Sequence, residues 1–321
     1  MSDEKLTELN GIASEIVPKD EFREMVEDSS EYTAYVGYEP SGVLHLGHMV
    51  TANAMIKLQE LGFNVKILIA DLHAELNGKG SSEEMRETGE EMIEQLKAFG
   101  LDDETEFVFG SDFQMDEEYQ KMMHRISKST TSKRAERSMA DISHGESTKV
   151  SHLMYPVMQA TDIWWLDADV ALGGMEQRKV HMLARDVFPK NDLKKPSFVH
   201  TPLIADLSTG DGKMSSSSGV SVSSADSREG VSEKVNDAYC PTEAKEETEN
   251  PVLQMYNYHV FPQYDKVTIE RDEEYGGNLE YSDYESLEKD LYSGVLHPLD
   301  AKEALAKQLN NLLDPIRAVH Q

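Results

Sequence analysis

Three short apolar strands alternate with helical segments in the first third of the chain, and this alternation constrains the fold more than any other feature. The helical patterns run from about Gly47 to Leu61 and over residues 82–99, and a glycine follows each. Strands that alternate with helices of this length predict a parallel α/β sheet. Because ligands bind such sheets at the carboxyl ends of the strands, the positions just after 37 and 70 favour a site. The strands are predicted at 32–37, 64–70 and 105–109.

The rest of the chain predicts a second domain. The helical pattern from 115 to 165 indicates an insertion, and the Ser- and Gly-rich segment 207–225 indicates a loop at a domain boundary. A capping-box spacing between Asp300 and Glu303 predicts that the last helix begins at Asp300. We predict a first domain over 1–222, with a helical insertion at about 113–160 and the loop at about 207–222, and a helical domain over 223–321.

The chain is strongly acidic, with 60 Asp and Glu residues against 31 Lys and Arg and a formal net charge of −29. Lys and Arg drive nucleic-acid binding, so this balance argues against a nucleic-acid partner. A carboxylate-rich surface is also compatible with a very salty cytosol, where a Debye length of about 3 Å at 1 M salt suppresses long-range repulsion. Composition leaves both interpretations open.

Other bulk features indicate a cytoplasmic protein without a membrane span. Cys240 is the single cysteine, which excludes an intramolecular disulfide and fits a reducing compartment. The N-terminus lacks the basic and apolar regions of a signal peptide, and no stretch approaches the ~18 apolar residues of a membrane span. The 11 histidines do not fall into paired Cys/His spacing, so we expect no metal bound by the protein.

The first motif that carries chemistry is His45-Leu46-Gly47-His48, between a strand turn and a helix N-terminus. The N–H groups and dipole of a helix N-terminus suit a phosphate. Two imidazoles three residues apart can donate to one phosphate group, and Gly47 lets a flat base approach the backbone. Alone the pattern is a weak signal, because two ordinary histidines at a helix start produce it as well.

The second motif is a lysine followed by serines in the Gly- and Ser-rich loop. Lys213 can close over a polyphosphate and neutralise the charge that develops on departing pyrophosphate, while serine hydroxyls add donors. A flexible linker has the same composition. Without other evidence, a Ser-rich run of this kind favours a linker over a phosphate-binding loop. The motif reads Lys213, Met214, Ser215, Ser216 and Ser217.

The two motifs, in this order, resemble the signatures of class I aminoacyl-tRNA synthetases. Five further stretches look like the tyrosyl-tRNA synthetases of the archaeal and eukaryotic type, and the resemblance covers nearly the whole chain. One departure is Ser218, where members of the family often have a second lysine. The stretches are AYVGYEPSG at 34–42, ADLHA at 70–74, YPVMQATD at 155–162, GGMEQRK at 173–179 and HPLD at 297–300.

The resemblance implies a Rossmann-like parallel-sheet catalytic domain with a helical insertion and a C-terminal, mainly α-helical anticodon-binding domain. It implies that ATP activates L-tyrosine for transfer to tRNA(Tyr), that Mg²⁺ arrives with ATP, and that the protein is a homodimer. His45, His48 and Lys213 would be catalytic. ATP contacts are implied for Gly37, Gly47, Met214, Ser215, Ser216 and Ser217.

The resemblance also assigns the tyrosine-binding residues. Tyr35 and Asp162 would hold the phenol, since a phenolic hydroxyl donates one hydrogen bond and accepts another. Tyr155, Gln159 and Gln177 would hold the amino end of the substrate. Without the resemblance, Tyr35 reads as a core aromatic and the other helical positions as one helix face, because Tyr155, Gln159 and Asp162 are spaced i, i+4, i+7.

A basic island within the acidic chain is the candidate contact for a tRNA acceptor stem. Residues 121–137 hold six Lys and Arg residues and one Glu, a net of +5. A solvated helix face is the alternative interpretation of such a run. Arg134 and Arg137 are the candidate contacts here. By resemblance Arg178 would contact the first base pair, and Tyr275, His297 and Asp300 would read the anticodon, although Asp300 also suits the N-cap of the last helix.

Three alternative functions stay open at this point. A tryptophanyl-tRNA synthetase has the same architecture, but indole offers only a donor, which does not suit Tyr35 and Asp162. A synthetase-like protein that binds RNA without catalysis would not need His45, His48 and Lys213. A nucleotidylyltransferase would leave the acidic C-terminal region without a role.

Overall fold

The computed structural model describes residues 9, 11–140, 142, 149–214, 221–244 and 248–319. The chain divides into two compact units. The first unit comprises residues 1–42, 54–93 and 101–202, and the second comprises 43–53, 94–100 and 203–321. The domain boundary predicted at 222/223 stays a prediction.

The first unit is built on a six-stranded mixed sheet with the order β1-β6-β5-β2-β3-β4. All neighbouring pairs are parallel except β1 with β6, which is antiparallel. The predicted parallel α/β sheet is therefore confirmed, with an antiparallel edge strand that the sequence patterns did not indicate. The strands are β1 Glu15–Val17, β2 Thr33–Tyr38, β3 Asn64–Ile69, β4 Glu106–Phe109, β5 Val170–Gly174 and β6 Ser197–Thr201.

Strand β2 lies in the middle of the sheet, between β3 and β5. The strand order therefore reverses at β2, since the chain continues to β3 and β4 on one side and later adds β5 and β6 on the other. The carboxyl ends of strands at such a reversal form a crevice in which ligands bind. Tyr35 and Gly37 lie on β2, and Gly173 lies on β5.

The helices that sequence periodicity predicted are present with nearly the predicted bounds. The first predicted helix is Leu46–Glu60 and the second is Ser82–Phe99. In its described part the predicted insertion contains three helices. Two of them bury Tyr119, Ile126 and Ile163 in the core of the first unit. The helices that precede residue 203 are Lys19–Glu27, Leu46–Glu60, Asp71–Leu76, Ser82–Phe99, Glu117–Lys128, Ser132–Met139, Val150–Trp165 and Arg178–Val187.

The C-terminal part of the second unit is mainly helical, with one small hairpin of β7 Val267–Ile269 and β8 Leu279–Tyr281. The last helix begins at Pro298, so the prediction that it begins at Asp300 is wrong. The Leu299 N–H donates to Nδ1 of His297 at 3.2 Å, which makes His297 the capping residue and places Asp300 in the first turn. The helices are Arg228–Asp237, Pro251–Met255, Tyr284–Ser293 and Pro298–Val319.

Within the ranges that the structure describes, no helix has the length and apolar character needed to cross a membrane.

Candidate active site

Asp162 is a fully buried carboxylate with three hydrogen-bond donors around it. It lies on the helix Val150–Trp165 and is 0% exposed. Its Oδ1 accepts from Gln114 Nε2 at 2.7 Å and from the Tyr119 hydroxyl at 2.7 Å, while its Oδ2 accepts from His73 Nε2 at 2.8 Å. A carboxylate has about four acceptor positions. One position on Oδ2 is therefore left for a further donor, such as a phenolic hydroxyl.

Tyr35 supplies the matching donor on strand β2. The side chain is 2% exposed, and burial, followed by the charge of Asp162, raises the pKa of Tyr35 well above its usual value. Its hydroxyl therefore stays protonated and able to donate. A Cβ at Gly37 would lie 2.9 Å from the Tyr35 hydroxyl oxygen, so the glycine leaves space for that hydroxyl. The structure thus brings together the pair predicted to hold a phenol.

The residues predicted for the amino end of the substrate form two contacts in the same unit. Gln159 Nε2 donates to Gln177 Oε1 at 3.2 Å, and the Tyr155 hydroxyl donates to Glu39 Oε1 at 2.7 Å. Burial, followed by the Glu39 charge, raises the pKa of Tyr155 well above its usual range. Gln159 Oε1 is buried, and no other described group bonds to it. An ammonium group needs such an acceptor, so this oxygen suits the amino group of an amino acid.

Four partners of the pocket were not assigned from the sequence. His73 and Glu39 lie in stretches that carried the resemblance. Both follow a strand of the sheet, and this position was the sequence signal that could have pointed to them. Gln114 and Tyr119 lie in or before a segment that sequence patterns predicted only as a helical insertion. Their contacts with Asp162 join residues 48 and 43 positions apart, respectively.

The two histidines of the first motif lie in the second unit and stack on each other, with ring centroids 3.7 Å apart. The Gly47 N–H donates to His45 Nδ1 at 3.1 Å, and the His45 N–H donates to His48 Nδ1 at 3.4 Å. Each Nδ1 is therefore an acceptor, so Nε2 of each ring carries the proton in the neutral tautomer. Two Nε2–H donors at a helix start are the groups that a phosphate oxygen requires.

Gly47 is needed at its position because of the first histidine. A Cβ there would lie 2.9 Å from His45 Cε1, so any side chain would displace the imidazole. The same Cβ position is 4.0 Å from the methyl of Met214, which places the start of the lysine motif beside the histidine motif. Lys213 is exposed, and Ser215, Ser216 and Ser217 lie outside the described residues.

A metal site in the protein is not indicated by the side chains that the structure describes. Within those ranges no group of three or more His, Cys, Asp or Glu side chains could hold an ion. The histidine motif offers N–H donors instead of oxygen ligands. Mg²⁺ prefers oxygen, and it commonly reaches such sites on substrate phosphates.

The candidate tRNA-binding arginines of the first unit lie in different surroundings. Arg134 donates to Asp186 Oδ2 through Nη2 at 2.9 Å and Nε at 3.2 Å, whereas Arg137 is exposed. Arg178 donates to Glu15 through Nε at 2.6 Å and Nη2 at 2.9 Å. Arg134 Nη1 also donates to the Ser138 hydroxyl at 3.1 Å and to the Lys179 carbonyl at 3.4 Å. The Glu15 pairing of Arg178 uses two of the five N–H groups that a guanidinium has.

Glu15 also anchors a chain of two buried histidines. The hydrogen bond from Arg178 is the main cause that lowers the pKa of Glu15. The ionised carboxylate can only accept, so His200 Nδ1, 3.1 Å away, carries a proton. His200 Nε2 then accepts from His181 Nδ1 at 3.0 Å. Burial lowers the pKa of both histidines, that of His200 to about 4, so both are neutral near pH 7.

The candidate anticodon residues lie on two segments of the second unit. Tyr275 ends a short 3-10 turn and is 66% exposed. His297 and Asp300 lie at the start of the last helix, as described above. Their roles remain predictions.

The fold and these residues define an aminoacyl-tRNA synthetase of class I, and comparison with known proteins agrees. A family model described as tRNA synthetases class I (W and Y) matches residues 27–314. Among curated relatives, tyrosine–tRNA ligase of Halorubrum lacusprofundi is 58% identical and that of Halobacterium salinarum is 54% identical. The alignments cover 95% of this chain in both cases, and 95% and 94% of the relatives. The chain belongs to this class I family and, within it, to the tyrosine–tRNA ligases.

Solved structures lead to the same family. A tyrosyl-tRNA synthetase of Archaeoglobus fulgidus, crystallised with L-tyrosine, is 43% identical, with a TM-score of 0.95 and 100% coverage of both chains. A tryptophanyl-tRNA synthetase of Giardia lamblia is 18% identical, with a TM-score of 0.72 and coverage of 95% of this chain and 82% of that one. The second likeness concerns the fold alone.

Proposed function

We propose that the chain activates L-tyrosine with ATP to form tyrosyl-adenylate and transfers the tyrosyl group to the 3′ end of tRNA(Tyr). The observation that carries this proposal is the remaining acceptor position on Asp162 Oδ2, beside the protonated Tyr35 hydroxyl. A phenol satisfies both groups, whereas phenylalanine leaves both unpaired at a cost of roughly 1–3 kcal/mol each. Indole can donate but not accept, which disfavours the tryptophan alternative.

The chemistry follows from positioning and charge. The tyrosine carboxylate, already ionised, forms a bond to the α-phosphorus of ATP, and the bond to pyrophosphate breaks with the electrons leaving on that group. The Nε2–H groups of His45 and His48 donate to the phosphate oxygens, and Lys213 neutralises the departing pyrophosphate. Mg²⁺ bound to ATP would offset phosphate charge. A ribose hydroxyl of the tRNA then forms an ester bond to the tyrosyl carbonyl carbon. The bond from that carbon to the phosphate oxygen of AMP breaks, AMP leaves with the electrons, and the hydroxyl proton passes to the departing phosphate or to water.

The tRNA would approach this acidic chain through its few cationic positions. Arg134, Arg137 and Arg178 are the candidates for the acceptor stem, and Tyr275 is the exposed aromatic of the candidate anticodon surface. A salt-rich cytosol removes the objection raised by the net charge, and both relatives above come from halophiles. We therefore propose that the protein works in the cytoplasm of a halophilic cell.

A homodimer is the proposed assembly. Val150 and Met154 lie one turn apart on the helix Val150–Trp165 and are 73% and 39% exposed. The family resemblance is the ground for this assembly, and the two apolar side chains are candidates for the surface that a second copy would cover. Sedimentation at several salt concentrations tests the state, and a monomer under all conditions would contradict the proposal.

Tyrosine-dependent ATP–pyrophosphate exchange in concentrated potassium chloride tests the central proposal. Exchange with tyrosine, and none with tryptophan or phenylalanine at equal concentration, is the expected result. The absence of tyrosine-dependent exchange at every salt concentration would overturn it. For the acceptor stem, Arg134→Glu with Arg137→Glu should raise the KM for tRNA and leave exchange unchanged, and the exposed Lys190→Glu is the matched control.

A further inference from the structure

Arg271 connects the two segments that carry the candidate anticodon residues. Its Nε donates to the Gly277 carbonyl at 3.0 Å, two residues beyond Tyr275. Its Nη1 donates to the Val295 carbonyl at 3.0 Å, two residues before His297. One side chain therefore fixes both backbones.

The same guanidinium lies 3.9 Å from a carboxylate oxygen of Asp300, and the Arg271 side chain is only 8% exposed. In addition the Arg271 N–H donates to Asn278 Oδ1 at 3.0 Å. A planar fork with several N–H groups can serve two carbonyls and a carboxylate together, whereas a lysine ammonium acts as a compact point charge on a flexible stem. This set of contacts therefore suits arginine better than lysine.

The turn beside Arg271 is shaped by two glycines. Gly276 and Gly277 have φ angles of 95° and 73°, in the left-handed region that favours glycine. The Gly277 carbonyl is thereby directed to the guanidinium. The backbone leaves the 3-10 turn immediately after Tyr275, so the Arg271 bond sets the position of that aromatic.

Three exposed side chains surround the held backbone. Tyr275 is 66% exposed, Leu299 60% and Val295 50%, and they count among the most exposed large apolar side chains of the described residues. Each belongs to, or directly adjoins, a segment that Arg271 bonds. Aromatic and aliphatic side chains presented together are suited to stacking against unpaired bases.

We propose that Arg271 is a positioning residue for anticodon recognition, and that Leu299 and Val295 extend the stacking surface begun by Tyr275. Arg271 holds the Tyr275 turn and the start of the last helix in one arrangement, and it does not itself need to touch RNA. The inference rests on the proposed function, because it assumes that the chain charges tRNA(Tyr).

The test compares two RNA substrates on the full chain. Arg271→Lys should raise the KM for full-length tRNA(Tyr) by about tenfold, the effect of losing two modest hydrogen bonds. Charging of an RNA hairpin that carries only the acceptor stem should stay within about twofold of the parent, and so should tyrosine-dependent exchange. Equal losses on both RNAs would show a general structural role and overturn the proposal, as would an unchanged KM for full-length tRNA.

A second variant and a control keep the result interpretable if Arg271→Lys folds poorly. Leu299→Ser alters an exposed side chain and should raise the KM for full-length tRNA only; an unchanged KM would remove Leu299 from the surface. Lys307→Met breaks an exposed ion pair with Glu270, the neighbour of Arg271, and should change neither RNA substrate. If the parent shows no tyrosine-dependent exchange, the proposed function fails, and that outcome is distinct from a failure of the Arg271 inference.

Discussion

Asp162→Asn tests the tyrosine pocket most directly. The carboxylate accepts from three donors, and an amide in its place must turn an N–H group toward at least one of them. At the Oδ1 position the N–H would oppose two donors, Gln114 and Tyr119, and at the Oδ2 position it would oppose only His73. We expect the second orientation, which also replaces the acceptor proposed for the substrate phenol with a donor.

The magnitude follows from the bond that is lost. A hydrogen bond to a charged group contributes about 1.5–3 kcal/mol, so kcat/KM for tyrosine should fall by about 10- to 150-fold. Phenylalanine never made that bond, so its much smaller kcat/KM should change little. The preference for tyrosine over phenylalanine should therefore fall by the same factor as the tyrosine rate.

The assay is amino-acid-dependent ATP–pyrophosphate exchange with tyrosine and with phenylalanine. Tyr119→Phe is the matched control, because it removes a donor from Oδ1 and leaves the Oδ2 position intact. This control should lower the unfolding free energy by about 1–3 kcal/mol and retain the tyrosine preference. An Asp162→Asn enzyme with an unchanged preference, or a Tyr119→Phe enzyme that loses it equally, would refute the assignment of the phenol to Oδ2.

Three further predictions concern the histidines and the lysine loop. Gly47→Ala should slow exchange and leave calorimetric tyrosine binding unchanged, because its Cβ would displace the His45 ring; an unchanged rate would argue against that ring's role. Lys213→Met should lower the exchange kcat by about 100-fold with little change in the KM for tyrosine, and a pure KM effect would contradict the role assigned to this cation. His200→Asn should flatten the acid dependence of stability. The folded pKa of His200 is about 4, below the unfolded value near 6.5, so the unfolded chain binds the extra proton and the parent loses up to about 3 kcal/mol as pH falls through that interval. Urea unfolding near pH 7 and pH 4 measures the loss, and identical slopes in parent and variant would contradict it.

Local periodicity was sufficient to predict the strands β2, β3 and β4 and two of the three helices between them, but not the short helix Asp71–Leu76. Their apolar patterns have clear periods, and glycines mark the helix ends at Gly62 and Gly100. The position of the His45 motif at a helix start followed from the same local signals. These features depend on contacts close in sequence, which is why one sequence without an alignment contains them.

Local periodicity could not predict the antiparallel edge strand of the sheet. Strand β1 has three residues and half-buried side chains, so it has no distinctive period, and its register pairs Glu15 with His200. Only the folded sheet reveals that this pairing supplies the carboxylate that holds Arg178. The prediction that the last helix begins at Asp300 was wrong because a second local signal competes with the capping box. Asp300 and Glu303 fit a capping box, but Pro298 is pre-organised for the first helical position, and its preceding histidine supplies the acceptor.

The arginines proposed to contact the acceptor stem suggest how so acidic a chain would present cations to RNA. Arg134 and Arg178 each lie beside a carboxylate, those of Asp186 and Glu15. Each pair is nearly neutral, so it gains little from counterion release, which is the contribution that salt removes. The carboxylate nevertheless fixes the guanidinium plane, and in Arg178 the N–H groups that do not bond Glu15 keep their direction. Recognition built from oriented donors and stacking side chains persists where screening abolishes long-range attraction. We therefore expect the acidic surface to be compatible with a nucleic-acid partner, whose affinity would depend on geometry more than on net charge.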